Sequence, residues 1–175
     1  MQETSIIVDF NGIVIFDPLL LGALYPEVGH GENLYRRFTQ TPEGDDVVKQ
    51  GIVVPIIGIN DSIYRVLIRD EAEQSPVDSD LIVVSNYAFP LRIASQAVIT
   101  DLASLLEWNP EEEWQKMNIP PGNYSVRING FRNIMNNEVV DFGFEVVLTG
   151  CECLPQFSAS LVKNMQFLEL PDKLC

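Results

Sequence analysis

The chain has 175 residues, with 11 Lys plus Arg against 25 Asp plus Glu, a formal net charge of −14, and 46% hydrophobic residues. This balance is that of a globular chain rather than a disordered, collagenous or coiled-coil one. A chain of this size buries roughly 70% of its unfolded surface, so it needs neither metal nor disulfides to fold, and its length favours a single domain over 1–175. The negative charge opposes binding to nucleic-acid phosphates and anionic membranes, which select Lys and Arg, and favours encounter with a basic partner.

The start, Met1-Gln2-Glu3-Thr4, has no basic or long apolar region of a secretory signal. No apolar run approaches the ~18 residues that span a bilayer, so a cytosolic location is expected unless export leaves no N-terminal signal.

In chain order, Ser5-Ile6-Ile7-Val8 and Ile13-Val14-Ile15-Phe16 flank Asn11-Gly12, which predicts a hairpin or one long strand with a glycine bulge. Residues 18–50 contain Gly22, Pro26, Gly29, Gly31, Pro42 and Gly44, and read as a long irregular excursion with at most a short helical turn at 33–38. Strands are expected at 51–59 and 63–69. In the second, Tyr64, Val66 and Ile68 alternate with Arg65 and Arg69, as in a half-buried antiparallel strand.

Residues 70–80 hold five acidic side chains and Pro76 and read as a solvated loop. A strand at 81–93 carries Pro90, which places it at an edge or a bulge. Helix is predicted after Thr100 through Leu102, Leu105 and Leu106, with a second turn starting at Pro110. Strands over 124–129 and 140–149 predict a hairpin, a helix fits 156–166, and an extended piece closes the chain at 166–170.

The expected fold is therefore mainly β, or strand-dominated α+β: two packed antiparallel sheets, sandwich-like, with one or two short helices.

Catalytic motifs are absent. There is no Gly-x-Ser-x-Gly, His-Glu-x-x-His, P-loop or EF-hand spacing, and His30 sits between glycines, which do not hold a base in place. Cys151-Glu152-Cys153 is too closely spaced for a structural zinc pair, and the odd count including Cys175 fits free thiols in a reducing compartment. No catalytic residue, metal ligand or cofactor is assigned.

Arg65, Arg69, Arg92, Arg127 and Arg132 lie on or beside strands, where cross-strand pairing with carboxylates is the ordinary role and a cationic groove the alternative.

The candidate binding residues are Trp108, Glu111, Glu112, Glu113 and Trp114. Consecutive helical carboxylates fan out by about 100° per residue, which suits a solvated helix start better than a metal site. Trp is enriched in interface hot spots, and acidic neighbours steer a basic partner.

The strand Ser5-Ile6-Ile7-Val8 before Ile15-Phe16-Asp17, followed by Ala88-Phe89-Pro90-Leu91-Arg92-Ile93, by 102–108, and by Ile119-Pro120-Pro121-Gly122-Asn123-Tyr124-Ser125-Val126-Arg127, resembles the bacterial competence protein J family. Those are small acidic inhibitors of a DNA-entry nuclease with a comparable Leu-Pro-x-Gly-x-Tyr turn before a strand. The resemblance covers roughly residues 4–149, the segments 18–50 and 150–175 being extra, and no functional residue transfers. It implies a nuclease partner; the charge of −14 with no catalytic motif extends the expectation to a basic protein such as a nuclease or toxin.

The function expected is thus a non-enzymatic cytosolic binding protein for a basic protein, of inhibitor or immunity type. The alternatives are a self-associating structural β domain, a homo-oligomer joined at sheet edges, and a carboxylate-metal hydrolase built on Asp101, Glu107 or 111–113.

Overall fold

The computed structural model describes residues 1–168. Its strands are β1 (Gln2–Val8), β2 (Gly12–Phe16), β3 (Val53–Ile57), β4 (Ser62–Asp70), β5 (Ile82–Ile93), β6 (Val98–Asp101), β7 (Gln115–Lys116), β8 (Gly122–Met135) and β9 (Glu138–Cys151). They form a five-stranded sheet in the order β1-β4-β9-β8-β5 and a four-stranded sheet in the order β3-β2-β6-β7. The expected mainly-β, two-sheet sandwich is what forms.

The two halves of the predicted N-terminal hairpin lie in different sheets. β1 pairs antiparallel with β4, while β2 sits between β3 and β6. The reason is visible in burial. β1 alternates and serves an edge, whereas every residue of β2 is buried, so β2 needs cover on both faces. Asn11, at φ 51°, carries the chain across the corner, and Gly58 N donates to its carbonyl at 3.2 Å.

Register assigns the faces of the smaller sheet. Val14 opposes Pro55 and Phe16 opposes Val53, so these four share one face. Ile13, Ile15, Val54 and Ile56 share the other, all essentially without exposure, and pack into the core between the sheets.

The excursion at 18–50 is helical, which corrects the irregular reading. It forms α1 (Pro18–Leu24), α2 (Leu34–Gln40) and α3 (Glu43–Lys49). Its Pro and Gly residues punctuate helices rather than prevent them. Pro18 opens α1 with Asp17 capping, Asn33 Oδ1 accepts from Arg36 N at 2.7 Å, and Glu43, Asp45 and Asp46 occupy the first turn of α3. With seven residues each, the helices are too short to display a 3.6-residue period. Leu21, Leu34, Val47 and Val48 are buried, so tertiary packing holds them.

Where helix was expected, the chain forms a 3-10 turn at Leu102–Leu105, capped by Asp101 rather than Thr100, and then turns and extends into β7. Trp108 and Trp114 both reach Phe16, at ring distances of 5.8 and 5.2 Å. On one helix, positions six apart would point about 120° away from each other.

The pairing is not wholly antiparallel, because β4 runs parallel to β9 with Arg65 level with Gly143. β8 and β9 form the expected hairpin, longer than predicted, closed by Asn136 and Asn137 at φ 54° and 66°, the signature of a type I′ turn. β5 lies at the sheet edge, as Pro90 required.

The helix anticipated at 156–166 does not form. That segment runs along β5 instead: Ser158 N donates to Ala88 O at 3.1 Å, and the Asn86 amide exchanges bonds of 2.8 and 3.0 Å with Ser160. The edge strand's open backbone groups outcompete a marginal helix. The extended piece at 166–170 lies partly outside the described residues.

Candidate functional site

Two loops meet at the end of the molecule that carries Trp108. Trp108 N donates to Glu32 O at 2.9 Å, and Gly31 N donates to Trp108 O at 2.9 Å. This pair of bonds places Gly31 and Glu32 beside Trp108. Glu32, Glu107, Glu111, Glu112 and Glu113 are all exposed there, and none forms an ion pair among the described residues. Nearby carboxylates are engaged differently. Arg37 bridges Glu27 at 2.9 Å and Glu43 at 2.7 Å, and its guanidinium lies 4.5 Å from the Tyr25 ring centre. Burial, with the negative charge of Glu43, pushes the Tyr25 phenol up to about 12.

The sequence-predicted residues therefore divide. Glu111, Glu112 and Glu113 are at the surface. Trp108 and Trp114 are 2% and 8% exposed, stacked on each other at 5.4 Å and packed against Phe16. As folded, the indoles support the acidic loop from beneath instead of offering faces to a partner. Aromatic bulk of this size is drawn into a core whenever one is within reach. Asp101, considered above as a metal ligand, is used by the backbone: its carboxylate accepts from Ala103 N at 2.7 Å and Asp9 N at 2.5 Å. Among the described residues no group of three or more His, Cys, Asp or Glu is placed to hold a metal ion. Cys151 and Cys153 are free thiols, and Cys175 lies outside the described residues.

The arginines are mostly consumed by pairing. Arg65 bridges Glu3 at 2.9 Å and Asp141 at 2.8 Å, and Arg127 lies 3.7 Å from Glu71. The hydrogen bond from Arg65 holds the Glu3 carboxyl below its ordinary value.

Sequence reasoning missed two features. One is a buried polar hub on the outer face of the larger sheet. Glu145 accepts from Arg69 at 2.7 Å, Ser75 at 2.5 Å and Asn129 at 2.8 Å. It anchors a strap over 71–81, and Val77 and Leu81 of that strap pack on Leu67 and Phe131. The acidic loop at 70–80 is thus partly a cover for the sheet. Glu145 alternates in register with apolar neighbours, so only its isolation in a hydrophobic strand could have marked it. The other is a pocket of about 210 Å³ between α2, α3 and the smaller sheet, lined chiefly by apolar side chains.

No helix among the described residues is long and apolar enough to cross a membrane. No family model matches the chain, and no curated protein does. Among solved structures, the fold is similar to that of ComJ, the inhibitor of the DNA degrading activity of NucA from Bacillus subtilis, with a TM-score of 0.50 and 8% identity over 86% of this chain and 96% of that one. The structure described as crocagin biosynthetic gene J has a TM-score of 0.49 and 14% identity, over 86% of this chain and 99% of its own. At 8% identity the likeness to ComJ is one of fold, and it agrees with the resemblance read from the order of the strands.

Proposed function

We propose that this protein is a non-enzymatic binding protein that captures a basic protein, of nuclease or toxin type, on its acidic loop face. The observation that carries this reading is the set of exposed carboxylates Glu107, Glu111, Glu112 and Glu113 around the buried Trp108 and Trp114, with Glu32 bonded through its backbone to Trp108, all free of ion pairs among the described residues. On a body of charge −14, this face presents to a basic partner the charge that a nucleic-acid backbone would. The fold shared with a nuclease inhibitor supports the inhibitor reading. Trp108 and Trp114 contribute by holding the loop in place. Neither a cofactor, nor a nucleic acid, nor a membrane enters this function, and a cytosolic location suits it.

The test is capture from a lysate of the protein's own host at low and moderate salt, beside a variant with Glu111→Gln, Glu112→Gln and Glu113→Gln. The wild type is expected to retain a basic protein that the variant releases at lower salt, since screening weakens such contacts. Recovery of no basic protein at either salt overturns the proposal.

A second reading, self-association, is favoured by one observation. Ile7 on the edge strand β1 and Ile63 on its neighbour β4 oppose each other, 61% and 60% exposed. A concentration-dependent dimer in light scattering, abolished by Ile7→Lys, would favour it.

A further inference from the structure

Resting on the acidic-face reading above, we infer that the cleft beside Trp114 binds a side-chain amide of the basic partner, a Gln or Asn flanked by Lys or Arg. The starting point is an orphaned donor. Trp114 is 8% exposed, and its Nε1–H is buried with no acceptor among the described residues. Buried donors in native folds are nearly always paired, and one left unpaired is destabilising because it has lost its water. The indole cannot turn to find an acceptor. Trp108 stacks on it at 5.4 Å, and Phe16 meets it edge-on at 5.2 Å.

Trp114 lines an open cleft of about 270 Å³, whose other walls come from the start of α1, from β6 and from the 110–116 segment. Glu112 and Glu113 line the same cleft, which joins it directly to the acidic face. Both are exposed, and neither forms an ion pair among the described residues, with Lys116 on the same wall or with any other cation. Asp17 also lines the cleft, but its two oxygens are occupied by the backbone N–H groups of Leu19, Ala94 and Ser95.

This wall selects its occupant by chemistry. A partner's carboxylate could accept from the indole, but Glu112 and Glu113 repel it. An apolar side chain leaves the Nε1–H unpaired, and a bare ammonium has no acceptor to offer it. A side-chain amide between cationic residues satisfies every group: its carbonyl accepts from Nε1, its NH2 donates to a cleft carboxylate, and the flanking cations pair with the remaining charge. The Nε1–H is already stripped of water in the free protein, so desolvation of the donor does not offset the new bond. Exposed side chains such as those of Glu112, Glu113 and Lys116 change rotamer within nanoseconds, so the amide reaches the indole with the aromatic stack undisturbed. Trp114 thus offers a partner its N–H while its ring stays in the core.

The test titrates the full chain at low salt with two acetylated peptides of equal charge and similar length, Lys-Lys-Gln-Lys-Lys and Lys-Lys-Met-Lys-Lys, and follows the Trp114 Nε1–H signal by NMR. The Gln peptide is expected to bind about tenfold more tightly, the gain from pairing one buried donor. It should also move the Nε1–H signal downfield and slow its exchange with solvent, which the Met peptide should not do. Trp114→Phe keeps a ring in the stack, deletes the donor and should erase the difference between the peptides. The double variant Glu112→Gln with Glu113→Gln should weaken both peptides. Equal affinities for the wild type, a Nε1–H signal unmoved at saturation with the Gln peptide, or a difference that survives Trp114→Phe overturns the amide inference while the acidic-face proposal stands. Binding of neither peptide overturns both.

Discussion

Arg69 Nε donates to Glu145 Oε1 at 2.7 Å on the outer face of the larger sheet, and both residues are buried, 8% and 1% exposed. The same guanidinium donates to the carbonyl oxygens of Asp70 at 3.1 Å and Glu73 at 2.8 Å, so one ion pair fastens the strap over 71–81 to two strands. Removing one partner leaves the other charge buried and unpaired. Glu145→Ala is therefore expected to cost about 3–5 kcal/mol in urea unfolding.

The same pair makes a pH prediction. Burial works to raise the Glu145 carboxyl, but the hydrogen bonds from Arg69, Ser75 and Asn129 outweigh it and hold the group below its ordinary value. A carboxyl depressed in the fold stabilises fully above its unfolded value of about 4.3 and loses that contribution as pH falls through the folded one. Between about pH 6 and about pH 3, the wild type should therefore lose more stability than Glu145→Gln. Equal losses in parallel urea titrations would count against this assignment.

Asp17 is fully buried and works as a connector. Its Oδ1 accepts from Leu19 N at 2.9 Å, capping α1, and its Oδ2 accepts from Ala94 N at 2.8 Å and Ser95 N at 2.7 Å, where the chain leaves β5 for β6. Asp17→Ala leaves these donors without an acceptor and is expected to destabilise by about 2–5 kcal/mol in chemical denaturation. Hydrogen exchange should quicken at Leu19, Ala94 and Ser95 together.

Gly143 sets the closeness of the parallel pair. A Cβ there would lie 1.8 Å from the Arg65 carbonyl oxygen across the β4–β9 ladder. Gly143→Ala should cost about 1–3 kcal/mol by overpacking. Exchange protection should fall first in β4, and an unchanged unfolding midpoint would contradict the contact.

Trp108 and Trp114 are expected to behave as core residues. Each truncation to Ala should cost about 3–5 kcal/mol, the range for buried aromatics. The triple Gln change at 111–113 should leave stability within about 0.5 kcal/mol, as surface substitutions do. Thermal unfolding of the three variants checks the contrast. A small effect of Trp108→Ala on stability would return the indole to a surface role.

Much of the strand content was legible in residue pattern alone. Val140, Phe142, Phe144, Val146 and Leu148 alternate along β9, and Pro90 marked β5 as an edge, because side chains on a pleated strand leave a period of two in any sequence. The three helices were not, since seven-residue segments leave no clear period and are held by burial of Leu21, Leu34 and Val48. The acidic triplet at 111–113 was legible as surface because three adjacent Glu cannot be buried unpaired. The fate of Trp108 and Trp114 was not, because an indole serves equally well in a core or at an interface, and only the nearness of Phe16 decides.

What the residues determined unaided was local: period, turn chemistry and overall charge. Whether Asn11-Gly12 closes a hairpin or carries the chain between sheets, and whether Glu32 meets Trp108, were decided only in three dimensions. Those outcomes turn on which distant surfaces compete to cover the same apolar face, and a linear pattern holds no record of that competition.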